Sequence, residues 1–441
     1  MNNMNTPILD FICSYILSDT TRFHMPGHKG RANLGCEVYD ITEIKGADSL
    51  YEANSIIAES EANASALFGS GQTLYSTEGS SQCIKAMLYL AMQVSGSRTV
   101  VAARNVHKSF VDAAALLDLD VVWVLPENAS NSVCSCVINQ RRLKKVLRSL
   151  PEPPAAVYIT NPDYLGGQSD IKSLAQACHE FNTILAVDNA HGAYLHFLAN
   201  PKHPLDLGAD ICCDSAHKTL PVLTGGAYLH INKNAEPLCG SDAKSAMALF
   251  GSTSPSYLTL TSLDCCNRYL SGEYQFELKR TVRKINSAKK KLIESGWSVY
   301  PSDPLKITLT YKNGILLADK LRACGFECEY ADSDHIVFMI TQENDLEDID
   351  RLVNALIDIG YDPSETEDLP IISPQKAMNI RQAVFSQQEK VSVNDAVGKV
   401  CASPLVSCPP AIPIVISGEI ITDEAVDIMS RYGISDILVV K

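Results

Sequence analysis

A lysine held in a tight polar turn between apolar runs is placed for covalent chemistry. Asp214-Ser215-Ala216-His217-Lys218-Thr219 is such a turn, with Ala209 to Cys213 before it and Leu220 to Leu223 and Gly225-Gly226 after it. Inside a pocket the lysine ammonium is partly desolvated, its pKa falls, and the amine can form a Schiff base. Ser-x-His-Lys is thus a candidate anchor for pyridoxal 5′-phosphate (PLP). The competing reading is a solvated lysine in a surface turn.

A PLP site needs three more groups: a carboxylate to keep the pyridine nitrogen protonated, an anion site for the phosphate, and a flat side chain against the ring. Asp188, in Asp188-Asn189-Ala190-His191-Gly192, ends an apolar run and is the candidate carboxylate. A buried carboxylate needs a partner, and a pyridinium is one. Gly79-Ser80-Ser81 opens an apolar helical run, where backbone N–H groups, the helix dipole and two hydroxyls would hold a phosphate. An ordinary serine cap reads equally well there. Ser215 is a further phosphate donor, and His107, in Asn105-Val106-His107-Lys108-Ser109, is the candidate stacking ring. Ala190 and His191 are counted with the cofactor residues. His217 either handles protons or is a hydrogen-bonded structural histidine.

These residues need elements to position them. Strands are expected at Thr73–Ser76, Thr99–Ala102, Val121–Leu125, Ala155–Thr160 and Ile184–Val187, with helices at Ile84–Val94, Phe110–Leu117, Arg141–Ser149 and Ile171–Phe181. Strand, helix, strand with short links means βαβ units and a mainly parallel sheet. Ligands of such sheets sit beyond the carboxyl ends of the strands. Gly79, His107, Asn161, Asp188 and Lys218 all fall near such ends. Upstream, helices are expected at Thr6–Leu17 and Ile56–Phe68, with irregular loops at Arg22–Gly30 and Asp40–Leu50. Downstream, Ser262–Ile293 reads as one long amphipathic helical stretch. Strands at Lys306–Tyr311, Gly325–Tyr330 and Ile336–Ile340, with helices at Gly314–Ala323 and Leu346–Ile359, make a small α+β domain. An acidic linker, Asp362–Leu369, leads to a C-terminal unit.

Composition narrows the classes. A chain of 441 residues allows two or three domains, and a net charge of −14 argues against nucleic-acid binding. No apolar run is long enough to span a membrane, and Met1 to Asp10 has no signal-type pattern, so a cytoplasmic protein is expected. The 15 cysteines form no Cys-x-x-Cys pattern, so free thiols and no metal site are expected.

Five segments together resemble the Orn/Lys/Arg decarboxylase family: His24-Met25-Pro26-Gly27-His28-Lys29-Gly30, Asp40 to Asp48, Asn105 to Ser109, Asp188 to Gly192, and Ser215 to Thr219. Ser373-Pro-x-x-Ala377 and Pro409-Pro-x-Ile-Pro413 resemble that family's C-terminal domain. The resemblance covers nearly the whole chain and is to the short bacterial branch, which lacks an N-terminal wing. It implies an α/β protein of the aspartate-aminotransferase-like fold (fold type I). Its large domain would carry a mainly parallel, seven-stranded-type sheet, joined by a small α+β domain and a C-terminal domain. The expected division is an N-terminal segment 1–55, a PLP-binding large domain 56–265, a small domain 266–365 and a C-terminal domain 366–441. The resemblance further implies Lys218 as the Schiff-base lysine and Asp188 against the pyridine nitrogen. Ser80, Ser81 and Ser215 lie where phosphate ligands are expected, and His107 where a stacking histidine is. A homodimer or higher homo-oligomer is also implied.

The chain departs from the family pattern in places. Asn189 stands where Asp-Glu-Ala-His-Gly has Glu. Thr77-Glu78-Gly79-Ser80-Ser81 replaces Asn-Gly-Thr-Ser, and Asn161-Pro162-Asp163-Tyr164-Leu165-Gly166 replaces a Pro-Thr-Tyr-Tyr-Gly-like run. The expected reaction is PLP-dependent α-decarboxylation of arginine, lysine or ornithine, giving the polyamine-pathway amine. Lys218 or His217 would return the proton, and Glu43, Asp48 or Asp163 would meet the substrate's distal cation. Two alternatives stay open. One is another fold-type-I reaction, transamination or elimination, in which Arg322, Arg351 or Arg381 would clamp the substrate carboxylate. The other is a catalytically weak regulatory homologue.

Overall fold

The structure is a computed structural model describing residues 4–441 except 32, 239, 363–366, 373–374 and 404–409. Ser373-Pro374, Cys408-Pro409 and much of the acidic linker therefore lie outside the described residues. From the N-terminus come α1 (Pro7–Leu17), α2 (Ile56–Phe68), β1 (Gln72–Ser76), α3 (Ser80–Ser95), β2 (Thr99–Ala103), α4 (Lys108–Leu117) and β3 (Asp120–Val124). Then follow α5 (Gln140–Ser149), β4 (Ala156–Thr160), α6 (Ile171–Glu180), β5 (Ile184–Asp188), β6 (Ile211–Asp214), α7 (Ala216–Thr219) and β7 (Ala227–Ile231).

Contacts group the chain into two compact units that do not follow chain order: residues 1–96 with 184–278, and 97–183 with 279–441. In the first unit the strand order is β1-β7-β6-β5. β5 and β6 are parallel, and β7 is antiparallel to both β1 and β6. All residues of β5, β6 and β7 are buried, as sheet strands covered on both faces require. α2 ends at Gly69, whose φ of 61° lies in the left-handed region that glycine adopts without strain. α8 (Ala243–Ala248) packs on α3, and α9 (Tyr257–Ser271) packs on α1 and α2.

In the second unit β2 lies between β3 and β4, parallel to both. After α10 (Tyr274–Glu294), the elements β8 (Lys306–Thr310), α11 (Gly314–Ala323), β9 (Tyr330–Ala331), β10 (His335–Met339) and α12 (Leu346–Ile359) build a three-stranded antiparallel sheet, β8-β10-β9, with its helices. The last stretch holds α13 (Ile380–Val384), β11 (Gln388–Ser392), β12 (Cys401–Ser403), α14 (Asp423–Arg431) and β13 (Asp436–Val440). Its sheet runs β11-β13-β12 over a core that includes Val393, Cys401, Ile421, Ile428 and Val439.

Two expectations are corrected. The long helix over 262–293 is two helices, because Gly272 takes φ −105° and ψ −109°, off the helical region. The strand over 325–330 shrinks to β9. Gly325, at φ 85°, closes the turn after α11, and the pairing with β10 begins only at the end of the segment. The described cysteines are free thiols, and burial pushes those of Cys83, Cys212 and Cys213 well up.

Candidate active site

Three loops of the first unit carry most of the expected residues. The first joins β1 to α3. Gly79 takes φ 71° and ψ −179°, a conformation essentially reserved for glycine. Its N–H donates to Gly225 O at 2.7 Å, and Ser76 Oγ donates to Gly79 O at 3.0 Å. Ser76 Oγ shares its one proton with Gln82 Oε1, 2.6 Å away, and Gln82 Nε2 in turn reaches Tyr51 and Met247 O. The turn is thereby fixed, and it starts the 16-residue helix α3 with Ser80 and Ser81 in its first turn.

The second loop follows β6. Ser215 Oγ donates to Ser80 Oγ at 2.8 Å, so two hydroxyls meet at the N-terminus of α3. That pairing joins Gly79-Ser80-Ser81 to Ser215 as one anion cup, with donor chemistry suited to a phosphate. Lys218 lies in the short helix α7 and is partly buried. His217 Nδ1 is 3.0 Å from Gly226 O. A carbonyl only accepts, so Nδ1 carries the proton and Nε2 holds the lone pair. Burial, aided by the neighbouring Lys218 charge, lowers the His217 pKa against the Gly226 bond that raises it.

The third loop follows β5. Asp188 is buried at the strand end, where its Oδ1 accepts from the Ala190 N–H at 3.2 Å, with Cys213 Sγ at 3.8 Å. Ala190 and His191 are buried beside it, and His191 Nε2 lies 3.0 Å from Lys218 Nζ. A lysine, a buried carboxylate and a hydroxyl-lined helix N-terminus are the donor set that PLP requires, so these residues fit the cofactor.

Sequence reasoning missed the groups behind this frame. Asp214, fully buried, accepts from Asn189 Nδ2 at 2.6 Å, His203 Nε2 at 3.0 Å and His230 Nε2 at 3.2 Å. Burial alone would raise its carboxyl, but both histidines hold it well below the usual range. The signal was slight: an acid closing an apolar run, and a lone histidine in the otherwise apolar Ala227–Ile231.

The remaining expected residues have other surroundings. His107, in the second unit, caps α4, its Nδ1 accepting from the Ser109 N–H at 3.1 Å. Asp163 is buried there too. Its Oδ1 accepts from the Gly167 N–H at 2.7 Å, its carbonyl accepts from Lys306 Nζ, and burial raises its carboxyl. Asp48 accepts from the N–H groups of Asn54, Ser55 and Ile57, which staples the start of α2. Glu43 is exposed and accepts from Thr42 Oγ1. Asp48 and Asp163 thus have backbone-holding jobs of their own. The arginines considered as carboxylate clamps are also engaged: Arg322 with Glu327 and Asp319, Arg351 with Asp348, and Arg381 with the carbonyls of Ala115 and Leu116.

Comparison with known proteins bears on the family and the fold. The family profile described as "Orn/Lys/Arg decarboxylase, major domain" matches residues 6–337, and "Orn/Lys/Arg decarboxylase, C-terminal domain" matches 364–432. The arginine decarboxylase of Bacillus subtilis is 30% identical over 96% of this chain and 93% of its own length. That of Halalkalibacterium halodurans is 28% identical over 95% and 91%. Among solved structures, the lysine decarboxylase of Francisella novicida superposes with a TM-score of 0.80 at 18% identity, covering 100% of this chain and 82% of that one. The constitutive lysine decarboxylase of E. coli gives 0.79 at 19%, over 100% and 82%. A NifS-like protein matches more loosely, with a TM-score of 0.55 at 16% identity over 69% and 86%. The fold is that of fold-type-I PLP enzymes.

Proposed function

Because the chain belongs to the Orn/Lys/Arg decarboxylase family and is a decarboxylase of a basic amino acid, we propose arginine as its substrate and PLP on Lys218 as its cofactor. Relatives that match nearly end to end and carry the name arginine decarboxylase support the substrate. The single observation that carries the cofactor reading is the Lys218–His191 contact, 3.0 Å long, in the unit that also holds buried Asp188 and the Ser80–Ser215 cup.

When bound, PLP supplies an electron sink for the pair left behind as CO2 departs. Asp188 offers a buried carboxylate that keeps a pyridine nitrogen protonated. The Gly79-Ser80-Ser81 turn and Ser215 hold the phosphate through N–H and hydroxyl donors. His191 Nε2 faces the Lys218 amine and steadies its proton. Lys218 then returns a proton to the substrate α-carbon. His217 is less suited to that donation, because burial disfavours its charged form and its one neutral-state proton is bound to Gly226 O. His107 belongs to the same reading as the ring that stacks on the cofactor. The engagement of Arg322, Arg351 and Arg381 elsewhere weighs against transamination, which would call on such a residue as the substrate clamp.

The same reading includes a homodimer, as expected for this superfamily, a polyamine-pathway product, and action in the cytoplasm. Among the described residues no helix is long and apolar enough to cross a membrane. The test is CO2 and amine release from arginine, lysine and ornithine with PLP present. Agmatine from arginine, and far less product from the other two, supports the proposal. Turnover of lysine or ornithine in preference would overturn the substrate. PLP binding without CO2 from any of the three would overturn the reaction.

A further inference from the structure

Beyond β5 and β6, the two loops bearing Asp188–His191 and Ser215–Lys218 meet at the His191–Lys218 contact, and at their base a buried side-chain bond, Asn189 Nδ2 to Asp214 Oδ1 at 2.6 Å, ties them. The backbone adds Asn189 N–H to Cys213 O at 2.9 Å. On its other side the Asp214 carboxylate accepts from His203 and His230. Asn189, His203, Asp214 and His230 are all 0% exposed. His230 Nδ1 meets Thr73 Oγ1 at 2.8 Å. A chain of polar contacts therefore runs from β1 through β7 and β6 to the loop after β5, crossing all four strands of this unit. Phe68 packs on both imidazoles, with centroids 4.5 Å from His230 and 5.7 Å from His203. Gly192 closes over the amide: a Cβ there would fall 2.0 Å from Asn189 Oδ1.

His203, Asp214 and His230 have the composition of a metal site, and their donor atoms lie within 4.8 Å of one another. The proton positions argue for hydrogen bonds instead. His203 Nδ1 accepts the Leu205 N–H at 3.4 Å, which puts the ring proton on Nε2, toward Asp214. Metal ligation would need that Nε2 lone pair, with Nδ1–H donating outward.

Asn189 is also a departure from the family pattern, which carries Glu there. Here the acid sits opposite, at Asp214, and the amide is on Asn189. We propose that the Asn189–Asp214 pair, braced by His203 and His230, is a positioning device that sets Asp188 and Lys218 in register for the cofactor. This rests on the reading that Asp188 and Lys218 hold PLP.

Exchange of the two residues tests it. Asp214→Asn alone removes the charge that both histidines face, and it sets an amide NH2 against either the histidine N–H groups or Asn189, which must then turn its own amide to accept with Oδ1. Asn189→Asp alone puts two buried carboxylates together. In the double exchange, Asp214→Asn with Asn189→Asp, the amide moved onto β6 accepts from the histidines through its oxygen and donates to the carboxylate moved onto the loop after β5. PLP affinity is read by titrating the absorption band, cofactor attachment by borohydride reduction and peptide mass, and fold by the melting temperature without cofactor. Each single variant should bind PLP more weakly by on the order of tenfold to a hundredfold, and the double should bind more tightly than either. If Asp214→Asn does not fold, Asn189→Ala reads the same bond with the histidine contacts intact, and should weaken PLP severalfold. Singles that lower the melting temperature but leave PLP affinity unchanged would overturn the proposal. So would a double exchange no tighter than the weaker single, or a stoichiometric divalent metal that Asp214→Asn removes. A wild-type protein with no borohydride-trapped PLP on Lys218 would instead sink the cofactor reading and take this inference with it.

Discussion

Lys218 Nζ and His191 Nε2 are 3.0 Å apart, although one residue follows β6 and the other follows β5. Two basic groups at that distance cannot both hold their protons without repulsion, so the pair shares one. On the proposed reading, removing Lys218 removes both the covalent anchor and the proton carrier. Lys218→Ala should show no borohydride-sensitive band. Its decarboxylation should fall by at least the order of 10²–10⁴ expected for loss of a general acid alone. A mutant that keeps the band would show that another lysine is the anchor.

His191 Nε2 is a hydrogen-bond partner of the Lys218 amine at 3.0 Å. His191→Leu removes the acceptor, and His191→Gln keeps one. The Leu variant should lower the pKa read from the cofactor band, with the Gln variant between it and wild type. A spectral pH titration checks the order, and an unchanged pKa in His191→Leu would count against the contact.

Asp188 is buried, with the Ala190 N–H and the Cys213 thiol beside its Oδ1, so a cation brought to it gains most of its electrostatic attraction. Asp188→Asn should reduce turnover by about 10²–10⁴, the equivalent of the ~3–5 kcal/mol of a broken buried pair, while substrate KM moves little. Steady-state kinetics and a melting curve separate this from unfolding. A rise confined to KM would argue that Asp188 binds substrate instead.

Asp264 gives a pH signature of stability away from the cofactor. Burial pushes its carboxyl from 3.8 up to about 6, against the Ser60 hydroxyl and the N–H groups of Leu9 and Ile8, which lower it. The folded state holds this proton more tightly than the unfolded chain. Its contribution is therefore complete below about pH 4 and is lost as pH rises through 6. Asp264→Asn does not titrate, so its stability relative to wild type should rise between pH 4 and 6.5, by about 2–3 kcal/mol, and then level off. Denaturant melts at three pH values check this. A difference that stays flat with pH would mean Asp264 has an ordinary pKa.

The C-terminal segment grips α4, the helix capped by His107. The Lys108 N–H donates to Ala411 O at 2.8 Å, and Arg381 donates to the carbonyls of Ala115 and Leu116 at the other end. Beside it, Arg104 pairs with mostly buried Glu419 at 2.6 Å and donates to Ile414 O. Glu419→Ala leaves the Arg104 charge uncompensated and should cost about 2–4 kcal/mol of stability. A large drop in melting temperature is expected. A change under about 0.5 kcal/mol would mean the pair is solvated.

Local chemistry wrote much of this protein plainly into the chain. Apolar runs of four to six residues between helical periodicities determined the strands β1 to β5 nearly to the residue, whereas β7, with His230 inside it, was not read as a strand. Gly69 stopped α2 because a left-handed backbone suits glycine. Lys218, Asp188 and Ser80 were legible because each stands at a strand-to-helix junction, where a polar residue has few other reasons to follow an apolar run. What depended on distant partners was not legible. That Ser215 meets Ser80 and His191 meets Lys218 follows from strand order, which brings β1, β7, β6 and β5 side by side out of sequence. His203 and His230 stand alone in the sequence and drew no expectation, and only the fold closes them on Asp214. Asp48 looked like a substrate acid, and tertiary structure gave its carboxylate to three backbone N–H groups. The physical reason is the same in each case. Backbone propensity acts over a few residues, whereas hydrogen bonds and charge pairing act through space, between residues the chain separates by tens or hundreds of positions.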